Sequence, residues 1–293
     1  MKIKCVLLFV LCHYAGYSQE EFNHSYYWPS EKKEAIVGVK NCYIRSEPGI
    51  SGLLLDSLQM GRKVEVVKST EDLLKIKGIN TNWAEVRYKT SRGDSKQGYL
   101  WKGFLALDFV EGKEETFLTT INKITQKANA DNYNEVTFHI AVIVLNKDNE
   151  VTAEKVIPKN ILESTYFQNK RIGSLGMENL KDIYRISFHG EACGIPSYYF
   201  YFGWNGKELL SLPEKMEVGD AGVFYHSETF LFPKEPGGIP NRIIKNIEEA
   251  ESVDETSEVY DITKSKETYS WDGNKATLIK IQKFKKYRKT SVQ

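Results

Sequence analysis

The sequence predicts an all-β protein: a small barrel followed by a larger antiparallel β domain, built as a sandwich or a partial propeller. Three observations carry that prediction. Apolar runs are short and recur about every ten residues, as in β sandwiches and barrels. Turn chemistry separates them, and several alternate in character as half-buried strands do. The chain has 293 residues, 41% of them hydrophobic, with 21 Gly and 8 Pro. At roughly 100 to 200 residues per domain two domains fit, and the composition lies far from disorder or collagen.

The first domain is expected over 34–108, with apolar runs at 35–39, 53–58, 64–67, 73–76, 83–88 and 98–101. Val64-Glu65-Val66 and Trp83-Ala84-Glu85-Val86-Arg87-Tyr88 show the alternation of half-buried strands. Pro48-Gly49, Met60-Gly61 and Arg92-Gly93-Asp94 supply the turns. Pro48 presets a turn, Gly61 permits a hairpin conformation that a side chain resists, and Trp83 offers a large apolar area to a small core.

The second domain is expected over 113–289. Residues 135–145 are too rich in β-branched side chains for an easy helix, and Asn146-Lys147-Asp148-Asn149 turns the chain into a return strand at 151–157. Residues 116–127 fit either a helical face or a strand; strand is preferred. Further strand-like runs lie at 183–188, 198–202, 222–232 and 277–281, punctuated by Pro196, Pro213, Pro233 and Gly237-Gly238. Trp204-Asn205-Gly206 and Trp271-Asp272-Gly273 each end an aromatic strand in a tight-hairpin turn. Their separation exceeds the ~40–50 residues of one propeller blade, so the echo reads as a weak repeat or as convergent hairpins.

Residues 1–18 combine Lys2 and Lys4, an apolar run at 5–12, and small Gly16 and Ser18, which together predict a secretory signal peptide. The apolar core is far short of the roughly 20 residues that span a bilayer. Leu11 before Cys12 argues against a lipoprotein anchor. An exported protein, periplasmic or secreted, is expected, with 19–33 as a linker. Removal of Lys2 and Lys4 leaves 38 basic against 39 acidic residues, a balance that offers no general field for nucleic acid. Cys42 and Cys193 then remain, either as one bond tying the domains together or as two buried free thiols.

Four motifs carry a family resemblance. Cys42-Tyr43-Ile44-Arg45-Ser46-Glu47-Pro48, then Leu58-Gln59-Met60-Gly61-Arg62-Lys63-Val64-Glu65-Val66, then Trp83-Ala84-Glu85-Val86, and Gly98-Tyr99-Leu100-Trp101 resemble the bacterial SH3-type domain. The resemblance covers about residues 35–107, with a stretched loop at 90–97 and Trp101 where a smaller residue often sits. It implies an SH3-like barrel and an envelope setting, since domains of this family occur in exported bacterial proteins and in some cases bind cell-wall peptide or glycan. It implies no catalysis. The expected function is therefore a non-enzymatic binding module that contacts cell-wall peptide or glycan, or an envelope protein, through a groove lined by Tyr43, Arg45, Trp83, Tyr99 and Trp101. No cofactor and no metal is expected.

The competing reading is a hydrolase or metalloprotein. His189-Gly190-Glu191-Ala192-Cys193-Gly194 places His and Cys four apart around a carboxylate, with His226 or His139 as further ligands, but supplies only two zinc ligands locally. The bland alternative is a Gly-bounded loop with a buried Cys193. Seven acids from Glu248 to Asp261 lack the calcium-loop pattern and read as a solvated loop. The tail from Lys280 to Lys289 interleaves Lys and Arg with Ile281, Phe284 and Tyr287; it reads as a final strand with a basic outer side, neutralised by that acidic loop, or as a contact for anionic lipid or wall polymer. Tyr198-Tyr199-Phe200-Tyr201-Phe202 with Trp204 is either a stacking platform or aromatic packing between sheets.

Overall fold

The computed structural model describes residues 22–128, 134–254 and 258–290, so the expected signal peptide lies outside the described residues. The first six strands are β1 (Glu31–Ile36), β2 (Asn41–Arg45), β3 (Leu54–Gln59), β4 (Lys63–Ile76), β5 (Ile79–Lys89) and β6 (Ser95–Trp101). They form one sheet in the order β1-β4-β5-β6-β2-β3. Alternation does what the sequence required of it: Val64, Val66, Ala84, Val86 and Leu100 turn inward with Cys42, Ile44 and Leu58. Gly61 takes φ +83, and a Cβ there would lie 2.5 Å from the Asn149 side chain, so this turn presses directly on the second half of the chain.

A four-stranded sheet follows, in the order β10-β9-β8-β7, from β7 (Asp108–Glu111), β8 (Thr116–Ala128), β9 (Asn134–Leu145) and β10 (Val151–Lys159). The ambiguous segment 116–127 is thus strand. Antiparallel sheets commonly leave one face to water. This one does not. Leu118, Ala141, Ile143 and Leu145 pack with Ile36 and Ala106, while Phe117, Ile121, Phe138, Ile140, Val142 and Val144 join the main core. Coverage of both faces is why β9 is a nearly unbroken apolar run.

The third sheet has ten strands: β11 (Tyr166–Arg171), β12 (Asp182–His189), β13 (Ser197–Trp204), β14 (Leu209–Ser211), β15 (Lys215–Asp220), β16 (Phe224–Leu231), β17 (Arg242–Ser252), β18 (Val259–Trp271), β19 (Ala276–Lys283) and β20 (Tyr287–Thr290). Its β12–β13 portion stacks on the four-stranded sheet. Tyr184 stacks on Phe117 at 5.1 Å and meets Thr119 Oγ1 at 3.0 Å, and the Trp204 ring stands edge-on to Phe117. The molecule is all-β and antiparallel in each sheet, with its sheets layered as a sandwich. One continuous core holds Val37, Cys42 and Ile44 of the first sheet together with Phe138, Phe188 and Phe202.

The segment 19–33, expected as a linker, is instead structural over its described part. A 3-10 turn, Ser25–Tyr27, precedes β1, and Tyr27 and Trp28 are buried. Tyr27 OH donates to the Ile161 carbonyl at 2.7 Å and its ring meets Phe138 and Phe188; Trp28 Nε1 donates to the Leu105 carbonyl at 2.9 Å. His24 accepts from the Asn80 N–H through Nδ1 at 3.0 Å. Lys102 Nζ, buried, donates to the Ser25 carbonyl and to Ser69 Oγ, and burial pushes its ammonium down to about 8. The stretch shows neither a helical nor a strand period, which is why it reads as a linker in the sequence.

Trp28→Ala should cost about 3–5 kcal/mol of unfolding free energy in urea titrations, the range for a large aromatic deleted from a core. A cost under about 1 kcal/mol, the scale of surface substitutions, would show the segment to be peripheral. A second expectation concerns acid. Burial pushes His24 from its ordinary 6.5 down to about 4, so the ring is neutral in the fold. The unfolded ring takes up a proton near pH 6.5 and the folded one only near pH 4. Its contribution is therefore complete above pH 6.5 and is lost as pH falls between those two values. Thermal melts from pH 7.5 to 4 should fall more steeply for the wild type than for His24→Gln, which keeps an acceptor without titrating.

Candidate functional site

The five residues expected to line a groove divide into two groups. Trp83 and Trp101 face each other across β5 and β6 and are only 3% and 2% exposed. Trp101 Nε1 donates to the carbonyls of Leu74 and Thr81 at 2.9 and 3.1 Å, and its ring meets Phe104 edge-on. The long β4–β5 hairpin supplies those carbonyls, so a ring expected on the surface has become core. Tyr43 is 44% exposed, Arg45 and Tyr99 are half-buried, and Arg45 stands opposite Tyr99 in the β2–β6 register.

What surrounds Tyr43 was not anticipated as a site. The β2–β3 hairpin holds Ile50, Leu53, Leu54 and Leu55 in solvent, with Ile50 and Leu53 72% and 74% exposed. Its loop is closed by its own polar contacts. Ser46 N–H donates to the Leu53 carbonyl, Leu53 N–H to Ser46 Oγ, and Arg45 Nη1 to the Gly52 carbonyl at 2.6 Å. A closed loop with aliphatic side chains outside presents them as a fixed apolar surface. The signal was in the sequence: a strand buries alternate residues, so the consecutive Leu53-Leu54-Leu55 cannot all be core on an edge strand.

His189, Glu191, Cys193 and His226 do converge on one shallow concavity of about 550 Å³, with Tyr199 and Glu217. Their hydrogen bonds point elsewhere. His189 Nε2 pairs with Ser187 Oγ at 2.9 Å, and burial, reinforced by Arg185, lowers its pKa. His226 lies between Glu249 at 3.0 Å and Glu228 at 3.2 Å. Tyr199 OH donates to Glu217. Cys193 is exposed rather than buried. His139 is on β9, at 3.1 Å from Thr125 Oγ1, and does not line this concavity. Among the described residues no three His, Cys, Asp or Glu groups are placed to hold a metal ion. A general base hydrogen-bonded to its nucleophile, the arrangement nucleophilic catalysis relies on, is not formed by His189 and Cys193.

The remaining expectations resolve simply. Phe200, Phe202 and Trp204 pack toward the four-stranded sheet, and Tyr199 and Tyr201 on the opposite face pack with Met177, Ile183 and Phe232, so the aromatic run is core rather than a stacking platform. Glu248, Glu249 and Glu251 belong to β17 and Asp261 to β18; this part of the acidic run is paired strand, not a loop, while residues 255–257 lie outside the described residues. Neither cysteine is in a disulfide.

No family model matches the chain, and no curated protein or solved structure is similar enough to it to count as a match. No helix among the described residues is long and apolar enough to cross a membrane.

Burial pushes the Cys42 thiol up to about 12, which leaves it protonated and enclosed. In native protein at pH 8, Ellman's reagent should therefore modify Cys193 fast and Cys42 only on unfolding. Cys193→Ser should remove the fast phase contributed by the described residues. Equal reactivity at the two positions would mean that the core around Cys42 opens readily.

Proposed function

We propose that this chain is a non-enzymatic binding protein of the cell envelope, which contacts an envelope protein or the peptide part of the cell wall through the β2–β3 hairpin. The observation that carries the reading is the exposure of Tyr43, Ile50, Leu53, Leu54 and Leu55 on one hairpin. Fully burying an exposed aliphatic side chain is worth about 1.5–3 kcal/mol, and each of these four, partly covered already, has a fraction of that to offer against the costs of association. Aliphatic groups suit a peptide or protein surface; a bare glycan is better met by stacked aromatic rings, of which this hairpin has only Tyr43 and its neighbour Tyr99. The SH3-type motifs and the predicted signal peptide support an exported binder, and the hairpin lies within the motif region. The shared concavity of His189 and Cys193 is the observation behind a hydrolase reading, and the lack of a His–Cys hydrogen bond weighs against it.

Sedimentation with purified cell envelopes separates these readings. Wild type should pellet saturably and keep pelleting in moderate salt, because an apolar contact is not screened. The double variant Leu53→Asp/Leu54→Asp should lose pelleting with an unchanged thermal midpoint, since neither side chain is core. Pelleting that survives the double variant would sink the hairpin assignment. Pelleting lost instead in Cys193→Ser would move the site to the His189 concavity.

A further inference from the structure

The ten-stranded sheet ends on an edge of unusual chemistry. β19 and β20 both pair with β18, β19 along Ser265 to Trp271 and β20 along Val259 to Ile262, with the Phe284 N–H donating to the Lys264 carbonyl between them. They form one continuous edge from residue 276 to 290. Every residue from 277 to 290 is exposed, including Leu278, Ile279, Ile281, Phe284 and Tyr287. Among the described residues no strand pairs with the backbone of β19 on its outer side. An exposed edge is a template for another strand, and proteins usually blunt it.

The inner joints of this sheet show what such a strand must carry. Lys245 stands opposite Glu267 at 3.3 Å and Glu248 opposite Lys264 at 2.6 Å, across β17 and β18. Arg288 stands opposite Asp261 at 2.8 Å, across β18 and β20. Lys286 joins the same carboxylate, and these two cations hold it below the usual aspartate range. Both of these joints are stitched by opposite charges. At the edge the stitching stops. From Lys280 to Lys289 there are six basic residues and no acid. Lys280, Lys283 and Lys285 have no ion pair among the described residues.

We propose that the β19–β20 edge captures an acidic, extended segment of a partner protein as a further strand of the sheet. The backbone supplies hydrogen bonds along the edge, the unpaired lysines select acidic side chains, and the exposed Leu278 and Ile281 give the added strand apolar neighbours. A second copy of this chain is the wrong occupant, because antiparallel self-pairing sets lysines against lysines, and like charges directly opposite destabilise. A bilayer is disfavoured by geometry: the exposed residues of β19 lie on both faces of the sheet, whereas insertion needs one apolar face. The surface is separate from the β2–β3 hairpin.

The test uses the full chain and a fluorescein-labelled peptide of alternating Val and Glu, followed by anisotropy. Saturable binding is expected, weaker by about tenfold or more for a Val-Lys peptide and for an alternately N-methylated Val-Glu peptide, which cannot complete the ladder. The triple variant Lys280→Glu/Lys283→Glu/Lys285→Glu, changed only at exposed positions, should melt as wild type and lose the acidic peptide. Leu53→Asp/Leu54→Asp should bind it unchanged, which keeps this surface distinct from the hairpin. No acidic-peptide binding, or binding indifferent to N-methylation or to the triple variant, overturns the proposal. Co-sedimentation with phosphatidylglycerol vesicles in place of peptide binding would assign the edge to a bilayer and overturn it as well. So would a dimer in sedimentation velocity that the triple variant abolishes.

Discussion

The two-sided burial of β8 and β9 in the four-stranded sheet is the constraint on which the rest of the molecule depends. β8 and β9 carry large apolar side chains on both faces, and neither face can be left to water. Ile36 of the first sheet and Ala106 of the connection to β7 cover one of them, and the β12–β13 part of the ten-stranded sheet covers the other through Tyr184, Phe188 and Phe202. The first sheet is thereby locked to the sandwich rather than suspended from it. The buried segment at His24, Tyr27 and Trp28 closes the seam, and its hydrogen bonds reach Asn80, Leu105 and Ile161 in three different parts of the chain.

A central layer that absorbs the apolar surface leaves the periphery free for contacts with other molecules. Two surfaces with unsatisfied chemistry lie at sheet edges: the β2–β3 hairpin, which exposes aliphatic side chains, and β19–β20, which exposes cations and backbone. The His189 concavity differs from both. Its polar groups already satisfy one another, with His226 held by Glu228 and Glu249 and Tyr199 by Glu217, so it reads as an internally paired polar surface.

Much of the fold was legible because alternation and turn residues are local. Val64-Glu65-Val66, the Asn146 to Asn149 turn and the two hairpins after Trp204 and Trp271 all stand where pattern and turn chemistry placed them. The binding residues were less legible. Trp83 and Trp101 have the same letters whether they line a groove or fill a core, and only the β4–β5 hairpin folding back to offer the Leu74 and Thr81 carbonyls decides it. The stretch 22–33 lacked periodicity because its partners are distant in sequence; burial of Tyr27 depends on Phe138 and Phe188. The acids of β17 looked like a solvated loop because charge density says nothing of the lysines that will lie opposite on the next strand.

By itself the sequence determined the class of the fold, the places where the chain turns, and the charge balance, since each follows from side-chain chemistry within a few neighbouring residues. The tertiary structure alone decided which aromatic rings are core and which acids are paired. Those outcomes depend on what lies across the sheet or in the next layer, and contacts between residues a hundred positions apart leave no periodicity in the chain that makes them.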